Sequence, residues 1–555
     1  GSVAIGYNAL TAQNSNQAGS AFGDANHNMN TAVGMNCGAA ITSGQWNVAM
    51  GSHALNAEVA GDSSTAIGTF ALYAQTGTDG EAGNTALGYF AGKSLTTGTK
   101  NVFIGKNCAD VTTDVDQSVI IGYGAGGANM TSAADSTVAI GNDACAALTT
   151  GNGNVAIGKL ALSTNVDGDK NTAIGHQALE TFEADSDGHG SNTALGYYAG
   201  QLVSTGTGNT IVGSNAGDAL VGGDNNTLMG TNAGGATTAA GSLVVIGTGA
   251  GAANMTSAAN GSVLVGSLAG AAITQGQKNV GLGFYALNAE VLGDGSTAIG
   301  HSALLLQTGI DGEVGNTAVG ALAGDAVTTG IKNVFVGKGA GGATTNVDNS
   351  VIIGYGAGAA DMTADADGTV AVGAGAGASI TSGQYNCVVG YNALATAVDG
   401  NSCTAVGYAA LSSANPDGTA DGDTGGSLTG IGASAGENVS TGRDSTFVGA
   451  SAGYGNGSAP TTGNYNTALG TAAGYVLQGA AHSNTMIGAY AADAVTTGTG
   501  NICIGASSET GDVASVNQYV IGSSLVATDV DRACFIGDGS DHIRCDWNTD
   551  GTWDK

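Results

Sequence analysis

A short motif of alternating apolar and small residues returns along the whole chain. In Asn84-Thr85-Ala86-Leu87-Gly88, a large apolar residue precedes the glycine and a β-branched residue lies three places before it. Side chains at two positions separated by one residue lie on the same side of a strand. The motif therefore predicts a short strand that ends in a glycine turn, with Thr85, Leu87 and their equivalents pointing into the core.

Small residues recur three places after the motif glycine. Examples are Ala71, Ala125, Ala178, Ala250, Ala303, Ala393 and Ala452. Glycine permits an unusual backbone conformation at the corner, and alanine leaves room beside it for a neighbouring chain segment. We therefore expect close approach to another stretch of backbone just after each turn.

The motif occurs thirty-one times, with glycines from Gly6 and Gly23 to Gly537, most often seventeen residues apart. Longer spacings fall at about every third step, as between Gly68 and Gly88. The hexapeptide at residues 54–59 also returns at residues 286–291, an offset of 232 residues. Self-similarity at a fixed period predicts one elongated array of stacked units instead of several globular domains.

The predicted fold class is all-β, an elongated β-solenoid or β-roll of about 17-residue repeats. Coils stacked at ~4.8 Å would form a rod of about 150 Å. Triplet spacing favours an intertwined homotrimer in which three units complete a turn around a threefold axis, and a single-chain solenoid remains the alternative. Residues 1–537 form the predicted repeat shaft, and residues 538–555 form a C-terminal tip.

Composition and charge narrow the function classes. The 99 glycines and 5% aromatic residues suit a thin core repeated from coil to coil. Twelve basic against 43 acidic residues give a net charge of −31, which argues against binding to nucleic acid. The sequence shows no secretion signal and no apolar run long enough to span a bilayer. We expect an extracellular protein that does not insert into membranes.

The eight cysteines lie mostly where the repeat places a small hydrophobic residue. Cys37 and Cys108 take the alanine position after the glycine, and Cys387 and Cys534 take the β-branched position predicted to point inward. Buried free thiols behave as small apolar side chains, which is the role we expect here. Pairing between chains near Cys534 and Cys545 is the alternative, and no CxxC pair indicates a metal site.

Two kinds of protein carry similar repeats. Ser-Val-Ala-Ile-Gly at residues 2–6 and Asn-Thr-Ala-Ile-Gly at residues 171–175 resemble the heads of trimeric autotransporter adhesins, which are left-handed β-rolls of three chains. With turns such as Thr96-Thr97-Gly98, the repeats are also similar to the shafts of bacteriophage tail fibres. The resemblance covers residues 1–537, with a longer and less regular period than in the adhesin heads.

The final stretch, residues 535–555, resembles the segment that precedes an endosialidase-type intramolecular chaperone domain in phage fibres. Such a domain trimerises the fibre and then cuts itself off, which would leave a chain that stops at Lys555. The resemblance implies a structural and adhesive tail-fibre protein on the virion that attaches it to the host cell surface. Its implied partners are two further copies of itself, a host glycan or protein, and other tail proteins.

Two other functions remain open from the sequence. A bacterial surface adhesin of the trimeric autotransporter type is the first alternative, and a polysaccharide-degrading tailspike is the second. Glycoside hydrolysis needs two carboxyl groups about 5 to 10 Å apart. The acids in the longer repeats are Asp167, Asp169, Glu183, Asp185, Asp187, Asp365, Asp367, Asp417, Asp421 and Asp423. Because acidic turns usually satisfy local backbone groups, and the seven histidines occupy scattered positions, we expect no enzyme activity.

No cofactor is expected, with calcium as the one candidate. Asp546, Asn548 and Asp550, followed by Gly551, match the first half of an EF-hand loop, in which oxygen ligands alternate before a sharp glycine turn. The bidentate acid of such a loop would lie beyond Lys555. An acidic turn without metal is therefore the default interpretation.

Aromatic residues are the candidates for receptor binding. The selected residues are Trp46, Tyr385 and Tyr465 on predicted turns and Trp547 and Trp553 near the C-terminus. A second group follows the motif glycine directly: Tyr7, Tyr89, Tyr123, Tyr197, Phe284, Tyr355, Tyr391 and Tyr408. Rings stacked from coil to coil cover strand edges, and they also offer flat faces to sugar rings or to a host protein.

Overall fold

The computed structural model describes residues 1–13, 28–77, 80–184, 189–416, 426–528, 531–546 and 553–554. The chain divides into two compact units, Gly1–Lys278 and Asn279–Lys555, called unit 1 and unit 2 below. Both are β-solenoids with a spacing of about 17 residues, and together they contain about 29 stacked turns. The predicted fold class is confirmed.

Unit 1 is built from very short strands, most of them three residues long. Its strands are Val3–Ile5, Thr31–Val33, Val48–Met50, Gly61–Asp62, Thr65–Ile67, Gly80–Glu81, Thr85–Leu87, Val102–Ile104, Val119–Ile121, Val138–Ile140, Val155–Ile157, Thr172–Ile174, Thr193–Leu195, Thr210–Val212, Thr227–Met229, Val244–Ile246 and Val263–Val265. Single 3-10 turns lie at Ser132–Ala134 and Ser257–Ala259.

Unit 2 repeats this design and adds a terminal hairpin. Its strands are Val280–Leu282, Gly293–Asp294, Thr297–Ile299, Gly312–Glu313, Thr317–Val319, Val334–Val336, Val351–Ile353, Val370–Val372, Cys387–Val389, Thr404–Val406, Leu428–Ile431, Ser445–Val448, Thr467–Leu469, Thr485–Ile487, Ile502–Ile504, Tyr519–Ile521, Ala533–Gly537, His542–Asp546 and Trp553–Asp554. A 3-10 turn lies at Ala364–Ala366.

Successive motif strands pair in parallel and in register. Thr85 lies beside Val102 and Leu87 beside Ile104, so that equivalent residues form columns along the sheet. Each repeat is therefore one complete coil, or rung, of the same chain, and the arrangement in which three repeats share a turn does not apply. The motif copy at Gly23 lies outside the described residues, and Val3–Ile5 pairs directly with Thr31–Val33.

The direction of the strand side chains differs from the prediction. Ala86, the middle residue of its strand, is fully buried inside the coil, whereas Leu87 is 46% exposed and Thr85 is partly exposed. The same burial pattern holds in the described motif strands after the first. The expectation that Thr85 and Leu87 point into the core is wrong, because side chains alternate along the strand and the middle residue, whether Ala86 or the larger Phe103, is the one that faces the interior.

A column of glycines forms the corner after the strands. Gly88 has a φ of +145°, and a Cβ atom on it would lie 2.3 Å from the carbonyl oxygen of Gly105 in the next rung. Both the backbone conformation and the close approach exclude a side chain here. The alanines three places later are fully buried, as the sequence analysis predicted.

Buried asparagines explain the first residue of the motif. The Asn84 Oδ1 atom accepts a hydrogen bond from the Asn101 backbone N–H at 2.9 Å and from Asn101 Nδ2 at 3.1 Å. Asn101 Nδ2 also donates to the Val115 carbonyl oxygen across the coil at 2.6 Å. The asparagine column thus satisfies buried backbone groups that the short strands leave without partners.

The parallel order ends at the C-terminal strands. Ala533–Gly537 pairs in parallel with Tyr519–Ile521 on one side and antiparallel with His542–Asp546 on the other. Trp553–Asp554 then pairs antiparallel with residues 544 and 545. A terminal hairpin therefore follows the last rung.

Candidate interaction surfaces

The most regular surface feature of each unit is a strip made by the outward residues of the motif strands. This outward strip comprises the residues three places and one place before each motif glycine, such as Thr85 and Leu87. Residues of the second column are half-exposed or exposed in every described rung. The most exposed among them include Ile5, Met50, Leu87, Leu195, Met229, Leu282, Leu469 and Ile536.

The outward strip carries no charged residue in the described strands. Its first column contains Val and Thr, with Cys387, Ile502, Tyr519 and Cys534 as exceptions, and its second column contains Ile, Val, Leu and Met. This absence is notable in a chain with 43 acidic residues. The charges lie on other faces of the coil.

The size of the strip is set by strand geometry. Fifteen motif strands per unit at ~4.8 Å extend over about 65 Å, and two columns separated by one residue lie about 7 Å apart. The projected area is on the order of 450 Å² per unit, within the range of about 300–600 Å² for the largest apolar patch of a typical monomer, which is often functional. The strip is therefore a candidate contact surface.

Aromatic rows run beside the strip, just after the glycine corner. In unit 1, His53 stacks on Phe70 with ring centroids 4.8 Å apart, and Phe70 meets Phe90 edge-on at 5.4 Å. Tyr73 and Tyr89 join the same group, and Lys93 Nζ lies 4.8 Å from the centre of the Phe90 ring. We call His53, Phe70, Tyr73, Tyr89 and Phe90 the unit 1 aromatic patch.

Shorter stacks of the same kind occur elsewhere. In unit 1, His176 stacks on Tyr197 at 5.3 Å, and in unit 2 Phe284 stacks on His301 at 5.5 Å and Tyr391 on Tyr408 at 5.7 Å. The predicted stacking of rings from rung to rung is thus observed. The sequence analysis treated the histidines as scattered, but three of them, His53, His176 and His301, lie in these rows.

The three turn aromatics selected from the sequence occupy one structural position. Trp46, Tyr385 and Tyr465 each lie five places before a motif glycine, with φ between 55° and 61°. Each side chain is more than half exposed. They lie on different rungs, however, and the structure does not bring them together. Trp547 lies outside the described residues, and only the backbone of Trp553 is described.

Three of the acids considered for glycoside hydrolysis, Asp169, Glu183 and Asp367, accept backbone hydrogen bonds. Asp169 accepts a hydrogen bond from the Asn152 N–H, and Asp367 accepts one from the Asp348 N–H in the preceding rung. Glu183 accepts one from the Val166 N–H; burial raises the pKa of Glu183, and nearby Asp167 acts in the same direction. Asp185, Asp187, Asp417, Asp421 and Asp423 lie outside the described residues.

The proposed calcium loop is only partly described. Asp546 ends the strand His542–Asp546, and Asn548 and Asp550 lie outside the described residues. Within the described part of the chain, no three His, Cys, Asp or Glu side chains come together as a metal-binding group. The calcium site stays a prediction.

A buried hydrogen-bond network around Glu58 was not found from the sequence. Glu58 Oε1 accepts hydrogen bonds from three successive backbone N–H groups, of which Gly61 N is closest at 2.6 Å. Gln75 Nε2 donates to Glu58 Oε2 at 2.6 Å and to Ser64 Oγ at 2.9 Å. In sequence, Gln75 is 17 residues from Glu58 and 11 residues from Ser64, so only the register of the rungs identifies these side-chain hydrogen bonds.

The cysteines agree only in part with the sequence analysis. All eight thiols are free; Cys37 and Cys108 are buried as predicted, but Cys387 is exposed because its position faces outward. Burial raises the pKa of Cys37 and Cys403 to about 11 and that of Cys108, Cys145 and Cys503 to about 12. These five side chains are core residues of low reactivity.

Comparison with known proteins identifies no relative. No protein-family model and no curated protein sequence that we compared matches the chain. Across the residues that the structure describes, no helix has the length and apolar character that crossing a bilayer requires.

Proposed function

We propose that the chain is a structural and adhesive fibre protein that assembles as a homotrimer through its outward strip. The observation that supports this proposal is the uncharged apolar strip on rung after rung of an acidic chain. Like-charged surfaces of net charge −31 repel each other, so copies associate only through a face that carries no acids. The strip is such a face in both units.

The shape of the strip favours more than two copies. It is one three-residue strand wide, and the backbone turns away at the glycine corner on one side and at a left-handed residue, such as Lys100, on the other. Three such ridges fit around a common axis, and three is the number that the resemblance to adhesin heads implies. In this assembly complete solenoids pack side by side, without sharing strands.

Many small contributions to the free energy of association add up along the strip. Burying the remaining surface of a half-exposed Ile, Leu or Val contributes on the order of 0.5–1 kcal/mol, at ~25 cal/mol per Å². Each chain repeats this at every rung, and each rung also supports its neighbours. The assembly is therefore expected to be long-lived and to resist dissociation on dilution.

Adhesion follows from presenting each outer surface three times. The aromatic rows and turn residues such as Tyr385 lie outside the strip, where they remain accessible in a trimer. Flat aromatic faces bind sugar rings and protein side chains at low entropic cost, and three copies turn weak contacts into strong attachment. We propose a bacteriophage tail fibre that uses these surfaces to attach the virion to a host cell.

A cell-binding experiment tests this function. Fluorescently labelled native particle is titrated onto a panel of bacterial strains, beside the double variant Leu87→Glu, Leu469→Glu, which places charges on the strip of each unit. We expect binding to a subset of strains and a loss of apparent affinity of about 100-fold or more in the variant, because avidity is lost.

The matched control is Val221→Glu, which changes an exposed valine outside the strip and should leave binding unchanged. Equal binding by the native particle and the double variant would contradict attachment through avidity. Absence of binding to every strain in the panel would contradict the adhesive role itself.

A further inference from the structure

The terminal hairpin places two cysteines opposite each other. In the antiparallel pairing of Ala533–Gly537 with His542–Asp546, Cys534 is the direct partner of Cys545. Side chains of directly opposed residues in such a pair project from the same face of the sheet. Both cysteines are free and half-exposed, so reagents reach them from solvent.

Backbone geometry permits a bond between them. Directly opposed residues in an antiparallel pair have Cα atoms about 4.5 to 5.5 Å apart, depending on the hydrogen-bonding pattern. A disulfide spans Cα separations of about 4.4 to 6.8 Å. Burial raises the pKa of Cys534, and the adjacent Cys545 raises it further, so the two thiols interact electrostatically.

The other six cysteines have no such partner. Five are buried inside the coils and belong to different rungs. Cys387 is exposed, but its register neighbours in the sheet are Val370 and Thr404. The backbone of Cys403 lies beside that of Cys387 in the next rung, where it accepts the Cys387 N–H. The Cys403 side chain, however, is buried on the opposite face of the coil. Selective oxidation at the hairpin is therefore expected from geometry alone.

We propose that Cys534 and Cys545 of one chain form a disulfide bond, or clasp, that joins the two strands of the terminal hairpin. The oxidant is a small-molecule disulfide such as oxidised glutathione, or a thiol oxidase acting outside the cell. One cysteine thiolate attacks the small disulfide, forms a mixed disulfide and releases one reduced thiol. The second cysteine thiolate then attacks the mixed disulfide, which joins the two protein sulfurs and releases the second thiol.

Atoms and electrons balance in this exchange. The protein loses two electrons and two protons as two S–H groups become one S–S bond, and the small disulfide is reduced to two thiols. The bond closes the loop of residues 535–544 and holds the strand His542–Asp546 against Ala533–Gly537. Because the hairpin follows the last parallel rung, the clasp opposes fraying of the sheet at this point.

Tryptic mapping tests the clasp directly. Trypsin cleaves after Arg532, which precedes Cys534, and after Arg544, which lies between the two cysteines. Folded full-length chain is treated with oxidised glutathione, free thiols are alkylated, and the protein is denatured and digested. We expect peptides 533–544 and 545–555 as one joined species that separates on reduction. Recovery of both peptides in alkylated form, with no joined species, would overturn the proposal.

Unfolding a mixture of isotopically labelled and unlabelled chains and refolding it before oxidation produces assemblies that contain both kinds of chain, which distinguishes a clasp from a link between chains. Joined peptides that are wholly labelled or wholly unlabelled support the clasp, and mixed pairs would overturn it. Cys545→Ser should abolish the joined species, whereas Cys387→Ser, which removes an exposed thiol without a facing partner, should leave it unchanged. Slower amide hydrogen exchange at residues 533–544 in the oxidised protein is expected, and unchanged exchange would contradict a stabilising role.

Discussion

Unit 1 and unit 2 contain equivalent long rungs, related by 232 residues, with the same interior. In unit 1, Glu58 Oε1 accepts the Gly61 N–H at 2.6 Å, and in unit 2 Glu290 Oε1 accepts the Gly293 N–H at 2.6 Å. Gln75 and Gln307 bridge these carboxylates to Ser64 and Ser296 at the same 2.9 Å distance. Small extra strands close both rungs, Gly61–Asp62 with Gly80–Glu81 and Gly293–Asp294 with Gly312–Glu313.

The outer surfaces of the same rungs differ. His53, Phe70, Tyr73 and Phe90 of the unit 1 aromatic patch correspond to Tyr285, Ser302, Leu305 and Leu322 in unit 2. A buried carboxylate without its hydrogen-bond partners is costly, so the interior tolerates few solutions. The surface has no such requirement. The comparison indicates that rung shape is fixed from inside, and that the outer rows are where the two units can differ in what they bind.

The largest expected effect comes from breaking the shared network. Gln75→Leu removes the side chain that donates to Glu58 and Ser64 and accepts from Asn84. The Oε2 atom of the buried Glu58 carboxylate then lacks its hydrogen-bond donor. We expect a loss of local stability of about 3–5 kcal/mol. Amide hydrogen exchange at residues 84–88 measures this loss.

Gln307→Leu should produce the same loss at residues 316–320 of unit 2, because the network there is equivalent. Gln201→Leu serves as the control, since Gln201 pairs with Glu180 on a half-exposed surface and its loss should cost less than about 1 kcal/mol. Losses that differ strongly between the two units would contradict the claim of a common interior.

The largest pH effect is expected in unit 2, at Glu509. Burial, together with Asp493, raises the pKa of the half-buried Glu509 to about 8, and Cys503 lies nearby. A carboxyl with a raised folded-state pKa contributes stability below its unfolded pKa of about 4.3, and that contribution is lost as the pH rises through 8. Protection of residues 502–504 should therefore fall between about pH 4.3 and pH 8 and level off above pH 8.

Glu509→Gln should remove this pH dependence, because the amide does not ionise. The equivalent measurement at residues 102–104 in unit 1 provides an internal control. A flat profile at residues 502–504 in the unaltered chain would show that Glu509 ionises as an ordinary carboxylate.

The smallest effect is expected at the surface. Phe70→Ser gives unit 1 the residue that unit 2 has at the equivalent position, and removes the stacking with His53 and Phe90. Because the rings are partly exposed, we expect a loss of about 0.5–1.5 kcal/mol in local stability. Hydrogen exchange at residues 65–68 measures it, and a loss as large as that of Gln75→Leu would contradict the distinction between interior and surface.

The sequence was sufficient to predict the period, the strand positions and the glycine corners, because alternation and repeat spacing are local signals. It was not sufficient to predict which face of the strand is inside. A period of two shows that Thr85 and Leu87 share a face, but only the width of the coil shows that Ala86 fills the interior.

For the candidate sites, too, the sequence was sufficient to predict some features and not others. Exposure of Tyr385 and Tyr465 followed from their turn positions, but their separation within unit 2 depends on the number of rungs between them. The Glu58 network and the facing of Cys534 and Cys545 depend on register between residues distant in sequence. His176 and His301 directly follow a motif glycine and were missed because histidine was not counted with Tyr and Phe at that position, whereas His53 lies one place further along.

Assembly through the outward strip is the central claim, and the mass of the native particle tests it most directly. Light scattering on the purified protein should give three times the chain mass of 53.1 kDa. The double variant Leu87→Glu, Leu469→Glu should give a smaller mass, and Val221→Glu should remain trimeric. A single-chain mass for the unaltered protein, at concentrations well above nanomolar, would contradict the account.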